Sequence, residues 1–338
     1  HTQGVMNDIS VQSDYWRSRS NYAKNNNVYT VICDQSTADG EQCIDDSQWR
    51  VWISGQNGKH TINNDTRSGT ADYSADSYRT VAGLDYAINK NTLLGFAFGS
   101  SKTQFDVAER DTSGLVESNS LAFYGSKDFD KMYLKGALSY DWLDAETRRF
   151  AFVEGSTAPI IPVAGVANNL QAQFDGKTFN GRLEAGYKTN WKKLNITPFA
   201  GVQLSFAKIG AATETAAESD DALALAYSKN DAYSAPVFVG AQIDSMFMLS
   251  EGSIQPYAKL SFAHDFSTKR AMEASFVSAP GYKFEVQGAV PDANTMDVNL
   301  GFKMTSITNL AFYGQFNGQY SENGAKNEGG TLGLEVHW

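Results

Sequence analysis

The sequence predicts an all-β membrane protein, a twelve-stranded antiparallel transmembrane β-barrel with an N-terminal α-helix in the lumen. Three observations lead to this fold class. From Gln48 onward, apolar and polar residues alternate with a period of two. Short and long links alternate between these segments along the chain. The sequence ends on the strand-like segment 331–338, whose last residue is Trp338.

The composition fits a protein that crosses a membrane with strands. Mean hydropathy is −0.37, and the chain lacks the run of about 20 apolar residues that a helical span needs. In strands with alternating apolar and polar residues, the mean hydropathy stays low although one face is apolar. The 16 Tyr, 20 Phe and 6 Trp residues can form aromatic girdles. The net charge of −10 and the lack of a basic stripe argue against nucleic acid as a partner.

The leading segment differs from the rest of the chain. From Val5 to Lys24 it contains no Gly or Pro, and three Asn residues follow, which predicts a helix over residues 4–25. The sides of this helix are mostly polar, so it requires water or polar walls around it. At ~1.5 Å per residue it is about 33 Å long, close to the thickness of a membrane.

The linker after this helix holds the two cysteines of the chain, Cys33 and Cys43. An exported protein would oxidise them to a disulfide, and two free thiols are the alternative. No His cluster surrounds them, so the sequence supports no zinc site, and we expect no metal. Helix and linker make a first unit of residues 1–46, and the barrel makes a second unit of residues 47–338. Because the chain starts at His1 without a signal-peptide pattern, we expect it to be part of a longer protein.

Twelve segments carry the period of two, each with one apolar face. In order, these faces run from Trp49 to Ile53, Ala82 to Ile88, Leu94 to Phe98, Leu121 to Phe123, Met132 to Trp142, Phe179 to Tyr187, Leu194 to Phe206, Val237 to Ile243, Ile254 to Phe262, Met296 to Met304, Leu310 to Tyr320 and Leu332 to Trp338. We expect each apolar face to contact lipid and each opposite face to line a lumen.

The links between these segments separate a membrane barrel from a soluble β-sandwich. The predicted tight turns are 89–92, 127–130, 190–192, 250–253 and 306–309. The predicted long links are 57–76, 108–117, 148–172, 209–230, 266–293 and 321–330. Outer-membrane barrels have short periplasmic turns and longer external loops, whereas no such alternation of loop length is expected in a soluble sandwich.

Charged residues on the polar faces would point into the barrel. They are Arg50, Asp85, Lys135, Asp141, Arg182, Glu184, Lys188, Asp244, Lys259, Asp297 and Glu335. Such side chains require water or polar partners. A barrel of this strand number has a lumen roughly wide enough for one helix, and the polar helix is about the right length to fill it.

Several segments, in this order and spacing, resemble the C-terminal translocator domain of type V autotransporters in its proteobacterial form. They are Trp49-Arg-Val-Trp-Ile-Ser-Gly, Val81-Ala-Gly-Leu-Asp-Tyr, Asn91-Thr-Leu-Leu-Gly-Phe-Ala, Phe179-Asn-Gly-Arg-Leu-Glu-Ala-Gly-Tyr, Ile196-Thr-Pro-Phe-Ala, Pro256-Tyr-Ala-Lys-Leu-Ser-Phe-Ala-His-Asp-Phe and the terminal strand. Each segment alone is a weak signal, but together they extend over nearly the whole chain.

This resemblance implies an anchor in the bacterial outer membrane that exports an N-terminal passenger to the cell surface. It implies that the helix occupies the lumen and that the segment with Cys33 and Cys43 leads to the first strand. The implied partners are outer-membrane lipid, the β-barrel assembly machinery, periplasmic chaperones and the passenger, with the domain itself a monomer. The assembly machinery would recognise the terminal strand, so the expected insertion signal is Leu332, Leu334, Val336 and Trp338. Export needs no ATP site, and with no P-loop in the chain we expect no cofactor.

Two alternatives come from other functional classes. A plugged outer-membrane channel or porin would normally begin with its first strand, so the leading helix favours the translocator. A barrel-embedded enzyme would need catalytic side chains that share one side of the lumen. His264 and Asp265 lie on opposite faces of one strand, and no Ser, His and Asp set meets the requirement.

Self-cleavage is a further possibility that the resemblance raises, because some family members cut their linker helix at an Asn that luminal acids activate. The candidate Asn residues are Asn7, Asn21 and Asn25 to Asn27. None of them lies in a recognisable Asn-Asn context in the middle of the helix. We expect instead that Asp85, Asp141 and Glu184 pair with Arg and Lys of the wall and the helix.

Overall fold

The structure is a computed structural model that describes residues 48–63, 71–155, 165–216, 221–267, 271–288, 291–306 and 309–338. The predicted helix over 4–25 and both cysteines, Cys33 and Cys43, lie outside the described residues. Within the described part of the chain, no helix is long and apolar enough to span a bilayer.

A closed antiparallel sheet of twelve strands forms the body of the molecule. The first six are β1 (Trp49–Ile62), β2 (Tyr73–Asn89), β3 (Thr92–Val107), β4 (Thr112–Phe129), β5 (Met132–Val153) and β6 (Val166–Tyr187). The second six are β7 (Leu194–Ile209), β8 in two segments (Asn230–Ser234 and Pro236–Asp244), β9 (Gly252–Asp265), β10 (Asn294–Ser306), β11 (Leu310–Ser321) and β12 (Lys326–His337). The predicted twelve-stranded barrel is confirmed.

The barrel closes where β1 pairs with β12, and we call this boundary the seam. The register places Val51 opposite Val336 and Ile53 opposite Leu334. Beyond the last ladder pair, the backbones of Trp49 and Trp338 exchange two N–H···O bonds of 3.1 Å. Each strand therefore has a partner on both sides, and the sheet has no long free edge.

Side chains alternate between the two faces of the wall, as the period of two predicts. On β1, Ile53 is 49% exposed, whereas its neighbours Trp52 and Ser54 are 1% and 2% exposed. The same alternation of exposed and buried residues runs along β3 and β6. The outward positions are mainly apolar and the inward positions mainly polar, the reverse of a soluble protein.

The links differ in part from the prediction. The tight turns are present after β2 at residues 90–91 and after β4 at residues 130–131. However, the predicted long links 108–117 and 321–330 are mostly strand, since only residues 108–111 separate β3 from β4 and residues 322–325 separate β11 from β12. These strands continue beyond the apolar belt, where both of their faces are polar and the period in hydropathy disappears.

Two long links, after β7 and after β9, build a small external sheet of four short strands. Its strands are Ala212–Thr213, Leu225–Tyr227, Ala271–Phe276 and Ala279–Gln287. It is not part of the barrel wall.

Candidate functional site

The outer face of the barrel is an apolar belt. Its exposed side chains include Phe123 at 64% and Leu332 at 61%. Aromatic rings lie at its two edges, where the rings of Trp49 and Tyr86 are 4.7 Å apart at one edge and those of Tyr140 and Trp142 are 4.9 Å apart towards the other. An apolar belt with aromatic edges is the surface that a bilayer covers.

The apolar face of β12 belongs to this belt. Leu334 is 47% exposed, Val336 45% and Trp338 55%, and all three point outward with Leu332. The residues predicted as an insertion signal therefore form one continuous apolar ridge beside the seam.

The charged residues that the sequence places on the inner face are inside the barrel. Buried among them are Arg50, Asp85, Lys135, Asp141, Glu184, Asp244, Lys259 and Glu335. Half-buried are Arg182, Lys188 and Asp297. Buried charges are costly unless they are paired, and their partners divide them into separate groups along the wall.

The first group crosses the seam. The carboxylate of Glu335 on β12 accepts a hydrogen bond from Lys303 on β10, and its other oxygen lies 3.7 Å from Nη1 of Arg50 on β1. Arg50 also pairs with Asp85 on β2. The hydroxyl of Tyr124 on β4 donates to Asp85 and accepts a 2.8 Å bond from the indole Nε1 of Trp52. We call Lys303, Glu335, Arg50 and Asp85 the seam network.

The second group surrounds Glu184 on β6, whose side chain is fully buried. Lys135 Nζ lies 2.9 Å from Oε1, while Arg182 Nη2 and Lys259 Nζ each lie 3.4 Å from Oε2. The hydroxyl of Tyr133 donates a further bond of 2.8 Å. Three cations therefore surround this one carboxylate.

Two aromatic rings support these cations. The guanidinium of Arg182 lies 4.1 Å from the ring centre of Phe238, and Nζ of Lys259 lies 4.4 Å from that of Phe199. Cations over aromatic faces are stabilised by the ring quadrupole. The sequence analysis missed Phe199 and Phe238. Both occupy inward-facing positions in the alternation of their strands, and this pattern could have identified them.

The remaining acids accept hydrogen bonds from amides. Asn180 donates to Asp141 at 2.7 Å, and Gln319 donates to Asp297 at 2.8 Å. Asp244 accepts from the side chains of Asn195, Gln242 and Gln255 at 2.8, 3.1 and 3.2 Å. Ion pairing with wall cations therefore holds for Asp85 and Glu184, whereas an amide takes that place at Asp141.

A cavity of about 600 Å³, lined by both polar and apolar residues, lies in the lumen on the side of the long links. Its lining includes His60, Arg79, Gln203, Lys259, Asp265 and Asn317. His264 and Asp265 do not act together, since His264 contacts Asn294 at 2.8 Å while Asp265 binds Ser234 and the backbone N–H of Ala235. No group of metal ligands occurs within the described part of the chain.

Outside the membrane, the small external sheet is fastened to β5. Arg149 donates two hydrogen bonds to Glu214, at 3.0 Å from Nε and 2.6 Å from Nη2. Glu214 is 3% exposed and also accepts from the hydroxyl of Tyr227 at 3.0 Å. Burial, and next the charge of Glu214, raise the pKa of Tyr227, so its hydroxyl keeps the proton that it donates.

Comparisons with known proteins agree with this architecture. Residues 51–317 match the family model of the autotransporter beta-domain. The chain is 25% identical to outer membrane protein B of Rickettsia japonica over 49% of its length, and 20% identical to an extracellular serine protease of Serratia marcescens over 78%. It spans only 10% and 24% of those two proteins.

Solved structures share the fold. The translocator domain of the autotransporter NalP from Neisseria meningitidis has a TM-score of 0.64 at 13% identity, with 98% of each chain covered. The beta domain of the Bordetella autotransporter BrkA has a TM-score of 0.57 at 13% identity and covers 87% of this chain. Because the family model covers most of the sequence and the barrel carries the matching fold, this chain belongs to the autotransporter beta-domain family and is an outer-membrane translocator domain.

Proposed function

We propose that the barrel exports a passenger attached upstream of residue 1 and then anchors it at the cell surface. The observation that carries this proposal is the polar lumen inside a wall with an apolar outer face. A lumen with paired charges and a cavity of about 600 Å³ offers a polar route through the bilayer.

A reporter fusion tests this function. A short unstructured epitope tag as reporter, placed upstream of His1, should become accessible to antibody and to added protease on intact cells. The same fusion probed in lysed cells gives the total amount made. If the barrel inserts, as judged by heat-dependent migration on gels, while the reporter stays in the periplasm, the export proposal fails.

We also propose that residues 4–25 form the helix that occupies the lumen, as part of a first unit of residues 1–46. The polar inner wall supports this, since it matches the polar sides of that segment. A disulfide between Cys33 and Cys43 belongs to the same proposal, and labelling of thiols with and without reductant tests it directly.

For assembly, we propose that Leu332, Leu334, Val336 and Trp338 are read by the β-barrel assembly machinery, with periplasmic chaperones delivering the chain. Their position beside the seam supports this, because the backbone edge of the strand that carries them stays unpaired until the barrel closes. Co-purification of a stalled barrel with the machinery, compared with a variant of this ridge, would test it.

We propose that the domain itself carries out no catalysis. The bonding of Asp85 to Arg50 and of Asp141 to Asn180 supports this, since both acids are already engaged. Asp85→Asn and Asp141→Asn should leave the length of the chain unchanged on a gel. A longer product in either variant would instead reveal self-cleavage in the parent.

A further inference from the structure

We propose that Glu335 stabilises the closed seam. Its carboxylate lies on the last strand and gains Arg50 as a cationic partner only when the first strand pairs with the last. This inference concerns how the barrel closes and stays closed, and it holds whether or not a passenger is exported.

The seam differs from the other boundaries of the wall in its covalent context. Eleven neighbouring strand pairs follow one another along the chain and are joined by links, whereas β1 and β12 lie at opposite ends of the sequence. Links keep neighbouring strands close together, so their pairing costs little chain entropy. The seam must gain its stability from contacts alone, and main-chain hydrogen bonds are common to every boundary.

The seam network is divided between the two sides of this boundary. On one side, Lys303 of β10 pairs with Glu335 of β12, and His337 Nε2 lies 2.5 Å from the same carboxylate. On the other side, Arg50 of β1 pairs with Asp85 of β2. Each pair can form within its own half of the sheet before closure. The approach of Arg50 to Glu335, at 3.7 Å, is made only across the closed seam.

Burial makes this contact dependent on closure. The side chains of Glu335 and Asp85 are both fully buried, and that of Arg50 is 5% exposed. Trp52, which lies opposite Glu335 in the ladder, is 1% exposed. At an open edge these groups would face water, where ion pairs are weak. Closure removes the water and strengthens the attraction, while loss of one partner would leave a buried charge uncompensated.

Covalent closure of the seam provides a direct test. We would replace Cys33 and Cys43 with Ser and introduce Val51→Cys and Val336→Cys, which face each other across the seam on the outer face. The Glu335→Gln change is then compared in this background with the new disulfide reduced or oxidised. The measurement is the temperature at which half of the purified barrel loses its compact migration on a gel.

With the disulfide reduced, we expect Glu335→Gln to lower this temperature by about 5–10 °C. With the disulfide oxidised, the loss should fall to less than half, because the covalent bond then holds the seam. Glu184→Gln is the matched control, since Glu184 is equally buried and has three cationic partners but lies on β6, away from the seam. Its loss should be the same in both states.

The proposal is overturned if Glu335→Gln has no effect, if its loss survives oxidation undiminished, or if oxidation rescues Glu184→Gln equally. Should Glu335→Gln fail to fold, Glu335→Asp takes its place. It keeps the charge but shortens the reach to Arg50, and its smaller loss should show the same dependence on oxidation.

Discussion

Inside the wall, aromatic rings lie against glycines of neighbouring strands. Tyr313 of β11 is 1% exposed and covers Gly333, its direct ladder partner on β12. A Cβ added at Gly333 would stand 2.1 Å from Cζ of Tyr313, which no side-chain contact tolerates. Trp52 lies over Gly83 in the same manner, with a Cβ distance of 2.4 Å. In these pairs the missing side chain of one strand makes room for the ring of the next.

The substitution Gly333→Ala should therefore destabilise the barrel by about 1–3 kcal/mol, because Tyr313 must move out of its place. Urea unfolding of the protein in lipid vesicles, followed by tryptophan fluorescence, measures the free energy of unfolding. Gly55→Ala is the control, since an added Cβ at Gly55 meets nothing within 4 Å. Equal losses in the two variants would show that strand propensity, and not the ring contact, governs the effect.

Among the strands, β12 combines the seam with the apolar ridge. Because Leu334 and Trp338 face lipid, replacing both with Asp should block insertion into the outer membrane while synthesis continues. The amount of barrel in the membrane fraction, compared with total protein, measures this. Lys326→Asp at the far, polar end of β12 makes a larger change in charge per residue and should insert normally. Normal insertion of the double Asp variant would remove the ridge from any role in assembly.

The small external sheet depends on a clamp between Arg149 and Glu214. Glu214→Gln weakens both of the hydrogen bonds that Arg149 donates to this side chain, so the links after β7 and β9 should open more often and be cut faster by added protease. Glu273→Gln is the control, because Glu273 binds Lys283 at an exposed position of the same sheet. Heat-dependent migration of the barrel itself should not change in either variant. Equal cleavage rates in parent and Glu214→Gln would contradict the clamp.

The sequence predicted the strands correctly where one face contacts lipid and the other faces the lumen, because the two faces then differ in hydropathy. On β5, the alternation from Met132 to Trp142 identified the strand and its outward face. The strand continues to Val153, however, through Asp144, Glu146 and Arg148, which face water. Where water covers the outer face as well, apolar and polar residues no longer alternate along the strand. The sequence analysis therefore assigned these strand ends to loops, and the predicted loops were too long.

Inside the barrel, the alternation of inward and outward positions along each strand predicted correctly which charged residues face the lumen. It did not predict their partners. Arg50 and Glu335 are 285 positions apart (335 − 50), and which of the inward groups meet depends on how far neighbouring strands are staggered. Asp141 illustrates the result, because it binds Asn180 instead of a cation. The small external sheet was also beyond the sequence analysis, since its short strands pair across two separate links and leave no periodic pattern.

For the whole molecule, the proposed plug in the lumen leads to the last prediction. If residues 4–25 fill the polar interior, the intact protein in a planar bilayer should conduct few ions, and deletion of residues 1–30 should raise the conductance sharply. The reason is that the inner wall carries paired charges and a cavity of about 600 Å³, which water and ions can enter once the segment is gone. A synthetic peptide of residues 1–30, added back to the deleted protein, should lower the conductance again, whereas a peptide of the same composition in scrambled order should not. If deletion leaves the conductance unchanged although the barrel is folded, the wall itself seals the lumen, and the leading segment has no role as a plug.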